Sequence, residues 1–235
     1  MKHCAIIVAG GMGQRMGAAV PKQFLQLGTK PLIAWSIETL AVSQLIDSII
    51  IAIHPEYKQQ LEDVINTYFP DTTIIITHGG QTRQESCFNG LQACNFSSDD
   101  IVLIHDAARP FITISMIKQC IDVATLHGAC GMYVPVKETI AQVNDSTITH
   151  VLPREILYAA QTPQCFRYSI IIDAHKKARQ RNITHATDDV SLALLAGYTV
   201  KAITGDFYTN IKITTNEDME LAKLLIKDKG IKNIR

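Results

Sequence analysis

The stretch from Cys4 to Leu25, CAIIVAGGMGQRMGAAVPKQFL, constrains this chain more than any other. Cys4 to Ala9 is a short and almost wholly apolar run, with the length and composition of a buried parallel strand. It breaks abruptly into a loop holding Gly10, Gly11 and Gly13, with Gly17 further on. Glycines let such a loop take positive φ and let a ligand approach its amides. Arg15 and Lys22 bring two cations to the same segment. A strand feeding a loop of this kind has the parts of a phosphate site: amides to wrap the oxygens and fixed charge to neutralise them. A plain turn has no use for those glycines together with Arg15 and Lys22.

Two common phosphate loops do not fit. GxxxxGK followed by Ser or Thr is absent from this segment. The dinucleotide fingerprint needs GxGxxG, whereas Gly11, Gly13 and Gly17 are spaced GxGxxxG, and Pro21 interrupts any helix directly after them. That spacing counts against a dinucleotide-dependent oxidoreductase.

The chain of 235 residues is long enough for one large α/β domain, read here as spanning 1–235. Lys plus Arg equals Asp plus Glu at 22 each, so there is no broad basic field for nucleic acid and any phosphate binding must be local. Cys4, Cys87, Cys94, Cys120, Cys130 and Cys165 form no CxxC pair and read as reduced, buried thiols. With no signal-peptide pattern and no stretch of membrane-spanning length, the expectation is a soluble, cytoplasmic protein without a membrane partner.

Further along, apolar strand-like runs alternate with helix-like segments. Pro31 to Ala41 reads as a helix with Leu32, Trp35, Ile37 and Leu40 facing inward, Ser48 to His54 as a strand, Glu56 to Phe69 as a helix and Thr73 to Thr77 as a short strand. This is the pattern of a Rossmann-like, mostly parallel sheet covered by helices on both faces. Ligands of such sheets collect at the carboxyl ends of the strands. A second loop there, Gly79 to Ser86, opens a helix over Thr82 to Cys94. Taken alone, it reads equally as a seat for an anionic group or as a helix cap with a solvated Arg83. A third, Ile101 to Arg109, ends a hydrophobic strand in His105 and Asp106. An acid at that position, facing a phosphate loop, suits Mg²⁺ or a substrate hydroxyl, so Asp106 is a candidate ligand and His105 a structural residue.

From Gly128 the pattern changes. Met132 to Val136 is strand-like, but Lys137 to Val151 has no apolar helical face and places Asn144-Asp145-Ser146 between two β-branched pairs. This predicts a β-hairpin arm over about 137–152. An isolated hairpin is marginal in water, so it packs on something, a second subunit about a twofold axis being the natural candidate and a solvated flap the alternative. A strand follows between Leu157 and Ala160, then helices over Tyr168 to Arg181 and from Thr187-Asp188-Asp189 to Ala196, closed by Gly197. Val200 to Thr204 reads as a strand. Asn210 to Thr214 alternates, with Asn210, Lys212 and Thr214 on one face and two isoleucines on the other, before a last helix to about Lys227.

Read together, AGGMGQRMGAAVPKQF, GGQTRQES, HDAARPF, VPVKETI, AAQTPQCF, ATDDVSLA and NIKITTNEDM occur in this order across nearly the whole chain. Any one block is weakly specific; the series resembles the 2-C-methyl-D-erythritol 4-phosphate cytidylyltransferase family, in the cytidylyltransferase branch of the sugar nucleotidyltransferases. The resemblance implies a Rossmann-like domain with a projecting β-arm that builds a homodimer. It implies a reaction in which CTP and a sugar-alcohol phosphate are joined with release of pyrophosphate and with Mg²⁺ as cofactor, in isoprenoid precursor biosynthesis. Carried over motif by motif, Arg15 and Lys22 stabilise the transition state, and Arg154 and Lys212 position the attacking phosphate. Nucleotide contacts fall on Ala9, Gly10, Gly11, Met12, Gly13, Gly80 and Ser86, and Mg²⁺ or substrate contacts on Asp106. Arg109, Thr139, Thr162 and Thr187 meet the methylerythritol phosphate, some from the partner's arm.

Three departures stand out: AGG where many relatives have AAG, Gln81 where an acid is common, and Thr209 in place of an acid before NIK. The first and last are similar to D-ribitol-5-phosphate cytidylyltransferases, whereas HDAAR and TDD favour methylerythritol phosphate. A rival of another class is a non-catalytic CTP-binding sensor, which has no need of a second anion site made of Arg154 and Lys212.

Overall fold

The computed structural model describes residues 1–11, 20–93 and 95–229. In chain order the strands are β1 (His3–Ala9), β2 (Gln26–Leu27), β3 (Lys30–Pro31), β4 (Ser48–Ile53), β5 (Ile74–His78), β6 (Ile101–Asp106), β7 (Ala129–Pro135), β8 (Ala141–Asn144), β9 (Thr147–Val151), β10 (Tyr158–Arg167) and β11 (Lys201–Thr204). The helices are α1 (Leu32–Val42), α2 (Lys58–Tyr68), α3 (Arg83–Gln92), α4 (Ile114–His127), α5 (Tyr168–Gln180), α6 (Asp189–Leu195) and α7 (Asn216–Lys229).

Among the described residues, seven strands form the main sheet in the order β11-β7-β10-β6-β1-β4-β5. All neighbours are parallel except β10, which runs antiparallel to both β6 and β7. This is the mostly parallel α/β sheet expected from the alternation of elements. From β1 the chain moves outward to β4 and β5 on one side and returns to β6 on the other, so the switch point lies between β1 and β6.

Period-2 alternation along the buried strands divides the core. Ala5, Ile7 and Ala9 of β1 join Ile49, Ile51 and Ile53 of β4 on the face covered by α1, α2 and α4. Cys4, Ile6, Ile50, Val102 and Ile104 face α3, α5 and α6 on the other side. A third cluster seats α7 and the β2–β3 ribbon around Trp35, Phe111 and Ile213. Helix α3 lies close against the sheet: a Cβ on its Gly90 would stand 2.6 Å from Ile6 Cγ2. Cys4, Cys87, Cys120, Cys130 and Cys165 are buried. Among the described residues no helix is long and apolar enough to cross a membrane.

Two expectations are corrected. The strand expected to end at Ala160 continues to Arg167, with TPQCF inside the sheet. Proline lacks the donor a central strand needs. Here the register shifts between Ala160 and Gln164, and Pro163 sits in that irregularity. The alternating segment Asn210 to Thr214 forms no strand. Ile211 and Ile213 do pack together in the third cluster, but Asn210 is wholly buried, donating to the Thr162 carbonyl at 2.8 Å. The predicted hairpin is present as β8–β9, a separate two-stranded sheet whose residues are all exposed.

Replacing Gly90 with Ala sets a gain in helix propensity of about 1 kcal/mol against a clash with the β-branch of Ile6. The clash should win. Urea unfolding of Gly90→Ala is expected to show a net loss of about 1–2 kcal/mol; an equal or higher midpoint would mean that α3 can lift away from β1.

Candidate active site

A cleft of about 280 Å³ opens at the carboxyl ends of β1 and β6, where a doubly wound sheet leaves room for a ligand. Its described walls are Ala9, Gly10 and Gly11 after β1, Lys22 and Gln23 beyond them, Gly80 to Arg83 after β5, Asp106 after β6, and Lys212. Met12, Gly13 and Arg15, expected to contribute to the same loop, lie outside the described residues.

Close backbone approach builds the upper wall. A Cβ on Gly79 would stand 3.0 Å from the Ile53 carbonyl carbon and 3.2 Å from Gly10 Cα, so the loops after β1, β4 and β5 touch only because these positions lack side chains. The Gly80 amide donates to Ser86 Oγ at 3.0 Å, and that hydroxyl donates to the Thr82 carbonyl at 2.9 Å. Thr82 caps α3 by accepting from the Glu85 amide, while the Glu85 carboxylate accepts from the Gln81 amide at 2.8 Å. On the facing wall Gln23 Nε2 donates to the Ala9 carbonyl and Lys22 Nζ to the Ile213 carbonyl, both at 2.8 Å. The first loop is thereby tied to the segment that carries Lys212.

Asp106 stands at the floor. Its Oδ1 accepts from Arg83 Nε at 3.0 Å and its Oδ2 from Lys212 Nζ at 2.6 Å. Burial alone would raise its pKa, but the two cations outweigh it and hold the carboxyl well below the usual carboxylate range. Arg83 also donates through Nη1 to Asp189 Oδ2 at 2.6 Å, and His175 Nε2 donates to Asp189 Oδ1 at 3.0 Å. The solvated reading of Arg83 is therefore wrong: it bridges two carboxylates, and its side chain is 22 % exposed. Sequence reasoning left it out of the site. The only local signal was GGQTR, an arginine opening a helix at the carboxyl end of a strand, and that alone does not distinguish the cleft from solvent.

The other expected residues fall into two groups. Arg109 and Thr162 are buried behind Asp106. The Thr162 hydroxyl donates to His105 Nδ1 at 3.0 Å and accepts from the Asp106 amide at 3.1 Å. Arg109 donates to the carbonyls of Asn210 and Ala160 at 2.6 and 3.2 Å. Thr139, Arg154 and Thr187 are exposed and do not line the cleft. Arg154 donates to the Lys137 carbonyl at 2.9 Å, at the base of the hairpin.

Glycine-lined amides and converging cations at the switch point of a mostly parallel sheet define a Rossmann-like nucleotide-binding fold built for phosphate chemistry. The family model for IspD, 2-C-methyl-D-erythritol 4-phosphate cytidylyltransferase, matches residues 3–228. This chain belongs to that family. It is 39% identical over 226 residues to the 2-C-methyl-D-erythritol 4-phosphate cytidylyltransferase of Geobacillus thermodenitrificans, covering 96% of this chain and 97% of the relative. The relative from Syntrophotalea carbinolica is 42% identical over 231 residues, with 98% of each chain covered. Among solved structures, the 4-diphosphocytidyl-2C-methyl-D-erythritol synthase of Anaerococcus prevotii superposes with a TM-score of 0.83 at 28% identity, over 96% of this chain and 98% of the other.

His105 gives the fold a pH dependence. Its ring is fully buried, and burial pushes its pKa down to about 4, against the hydrogen bond its Nε2 makes to the Arg109 carbonyl. An unfolded histidine takes up its proton below about pH 6.5. The folded one resists until about pH 4. Stability therefore rises with pH across that window, and on the order of 3 kcal/mol is lost from this group on descending through it. Urea midpoints measured from pH 7 to pH 4.5 should fall for the wild type and fall much less for His105→Gln; equal slopes would remove this role for the ring.

Proposed function

We propose that this chain transfers CMP from CTP to 2-C-methyl-D-erythritol 4-phosphate, releasing pyrophosphate, a step in making isoprenoid precursors by the non-mevalonate route. The observation that carries the reading is the meeting of Lys22, Arg83 and Lys212, from three distant parts of the chain, beside Gly10, Gly11 and Gly80 in one cleft. One nucleotidyltransferase domain with an arm is sufficient for this chemistry.

The nucleophile is a phosphate oxygen that already carries charge near neutral pH, since a phosphomonoester's second pKa is about 6. No general base is needed. It attacks the α-phosphorus of CTP, a new P–O bond forms, and the bond to the β-phosphate breaks with its electron pair going to pyrophosphate. The obstacle is repulsion between anions. Lys22 and Arg15 act on the triphosphate, where charge accumulates, and one well-placed donor of this kind is typically worth about 3 kcal/mol. Lys212 and Arg154 hold the acceptor phosphate in line. Ala9, Gly10, Gly11, Met12, Gly13, Gly80 and Ser86 seat the nucleotide.

Asp106 fits a magnesium ion that arrives on the triphosphate. Each of its oxygens takes a single hydrogen bond from one cation, so a lone pair remains on each, and magnesium bound to phosphates takes only one or two protein carboxylates. When bound, the ion would offset charge on the phosphate oxygens.

The hairpin is the dimer arm in this reading. Val143, Ile148 and Val151 are 59%, 66% and 63% exposed, too much apolar surface for a two-stranded ribbon to leave in water. Thr139 and Arg154, away from their own chain's cleft, then serve the partner's, alongside Arg109, Thr162 and Thr187 on the acceptor side.

In a pyrophosphate-release assay with CTP, methylerythritol phosphate is expected to be turned over and ribitol phosphate not; CTP binding with no pyrophosphate would mark a sensor instead. Lys22→Ala and Arg15→Ala should each lower kcat by about a hundredfold or more, with the stability lost in Lys22→Ala limited to about 1 kcal/mol, the worth of its bond to the Ile213 carbonyl. Inactive Lys22→Ala and Arg154→Ala proteins, unfolded together and refolded, should regain roughly a quarter of wild-type activity, because half the dimers then hold one complete site. No recovery, or a fully active monomer in sedimentation, would place Arg154 in its own chain's site.

A further inference from the structure

The corner behind Arg83 is built with more care than a helix start requires. Asp189 is fully buried, and its two oxygens are divided between Arg83 Nη1 and His175 Nε2. Its backbone is pinned as well. Gln164 Oε1, on β10, accepts from the amides of Asp189 and Val190 at 3.1 and 3.2 Å, and Gln164 Nε2 donates to the Asp188 carboxylate at 2.7 Å.

Cys87 lies close enough to His175 and Asp189 for the three to share a metal ion. The guanidinium already fills the cationic place, and burial pushes the Cys87 thiol up, so it stays neutral. Nor is the bridge an economical stabiliser. Buried ion pairs recover little beyond their desolvation cost, and Arg83 Nη2 is buried with no hydrogen-bond partner among the described residues. What the arrangement supplies is direction. With Nη1 fixed by Asp189, the planar guanidinium can present Nε to Asp106 Oδ1 in one orientation, which turns Oδ2 toward Lys212. Lys212 needs that guidance: its side chain is 42% exposed and its segment belongs to no sheet.

We infer that Asp189 and His175 are positioning residues for the transfer reaction, acting through Arg83 and Asp106 to set where the Lys212 ammonium stands in the cleft. The placement of Lys212 is independent of what the enzyme acts on; its effect on turnover rests on the function proposed above.

The test is Asp189→Asn, in which either orientation of the amide sets an N–H against Arg83 or His175. It is paired with His175→Gln, whose amide can still donate to Asp189, and His175→Leu, which cannot. Acylation of Lys212 by an amine-directed anhydride, read by mass spectrometry against the exposed Lys118, should speed up several-fold in Asp189→Asn and His175→Leu and stay near wild type in His175→Gln. In the same proteins kcat should fall ten- to a hundredfold in the first two, with CTP affinity measured by calorimetry within about twofold and activity largely kept in His175→Gln. Unchanged Lys212 acylation in both damaged variants overturns the inference. So does a loss of activity that only follows the folded fraction and strikes His175→Gln as hard as His175→Leu. If the wild-type protein releases no pyrophosphate, the proposed reaction fails, and the acylation rates alone still decide whether Asp189 and His175 place Lys212.

Discussion

A carboxylate at the end of a buried strand stays ionised only if positive charge stands beside it. Asp106 is 7% exposed, and Arg83 and Lys212 reach it from opposite sides. The dependence is mutual, because neither cation has another carboxylate on the cleft side to hold it among the described residues. Three segments separated widely in sequence are brought to one point: the first turn of α3, the end of β6 and the irregular run before α7. The rest of the cleft is arranged about that point, with the first loop joined to it through Lys22 and the Ile213 carbonyl. A site whose task is to bring two anions together gains from having its cations anchored before either arrives.

Much of this was legible in the residues. β1, β4 and β6 are apolar runs long enough to be buried on both faces, and each ends in glycine or polar residues, so the strands and their exits could be read directly, though not their order in the sheet. Asp106 was legible as a cleft residue from its place at the carboxyl end of an apolar strand, and His105 as structural for want of partner ligands, whereas Lys212 stood out only through the resemblance of its NIK motif. β10 was harder. A proline in the middle of a strand argues against the strand, and only the register shift around Pro163 makes it acceptable. Asn210 to Thr214 misled in the opposite way, since perfect alternation also suits an extended segment pinned by side chains, and there Asn210 turns inward. Arg83 was ambiguous because its partners, Asp106 and Asp189, are 23 and 106 residues away. Local pattern carries no record of such distant pairing.

The acceptor side shows the same limit. Arg154 and Thr139 belong with Lys212 by motif, yet they project from the hairpin base and do not line the cleft. Arg109 and Thr162 are near Asp106 but spend their hydrogen bonds on the framework beneath it. Polar groups that look like one cluster in sequence thus divide into a floor and an outlying arm.

β10 joins those two parts along a single line of backbone. Tyr158 to Ala160 pair with β7 next to the hairpin, Thr162 lies against the Asp106 amide, and Gln164 to Phe166 are locked between β6 and β7. An extended chain has almost no slack along its length, at roughly 3.3 Å per residue. The hairpin is followed by a short turn at Arg154–Ile156, and β10 then carries the chain from the foot of the hairpin to the footing of the floor. Whatever takes hold of the hairpin holds a chain that, eleven residues beyond Val151, becomes the ground on which Asp106 rests.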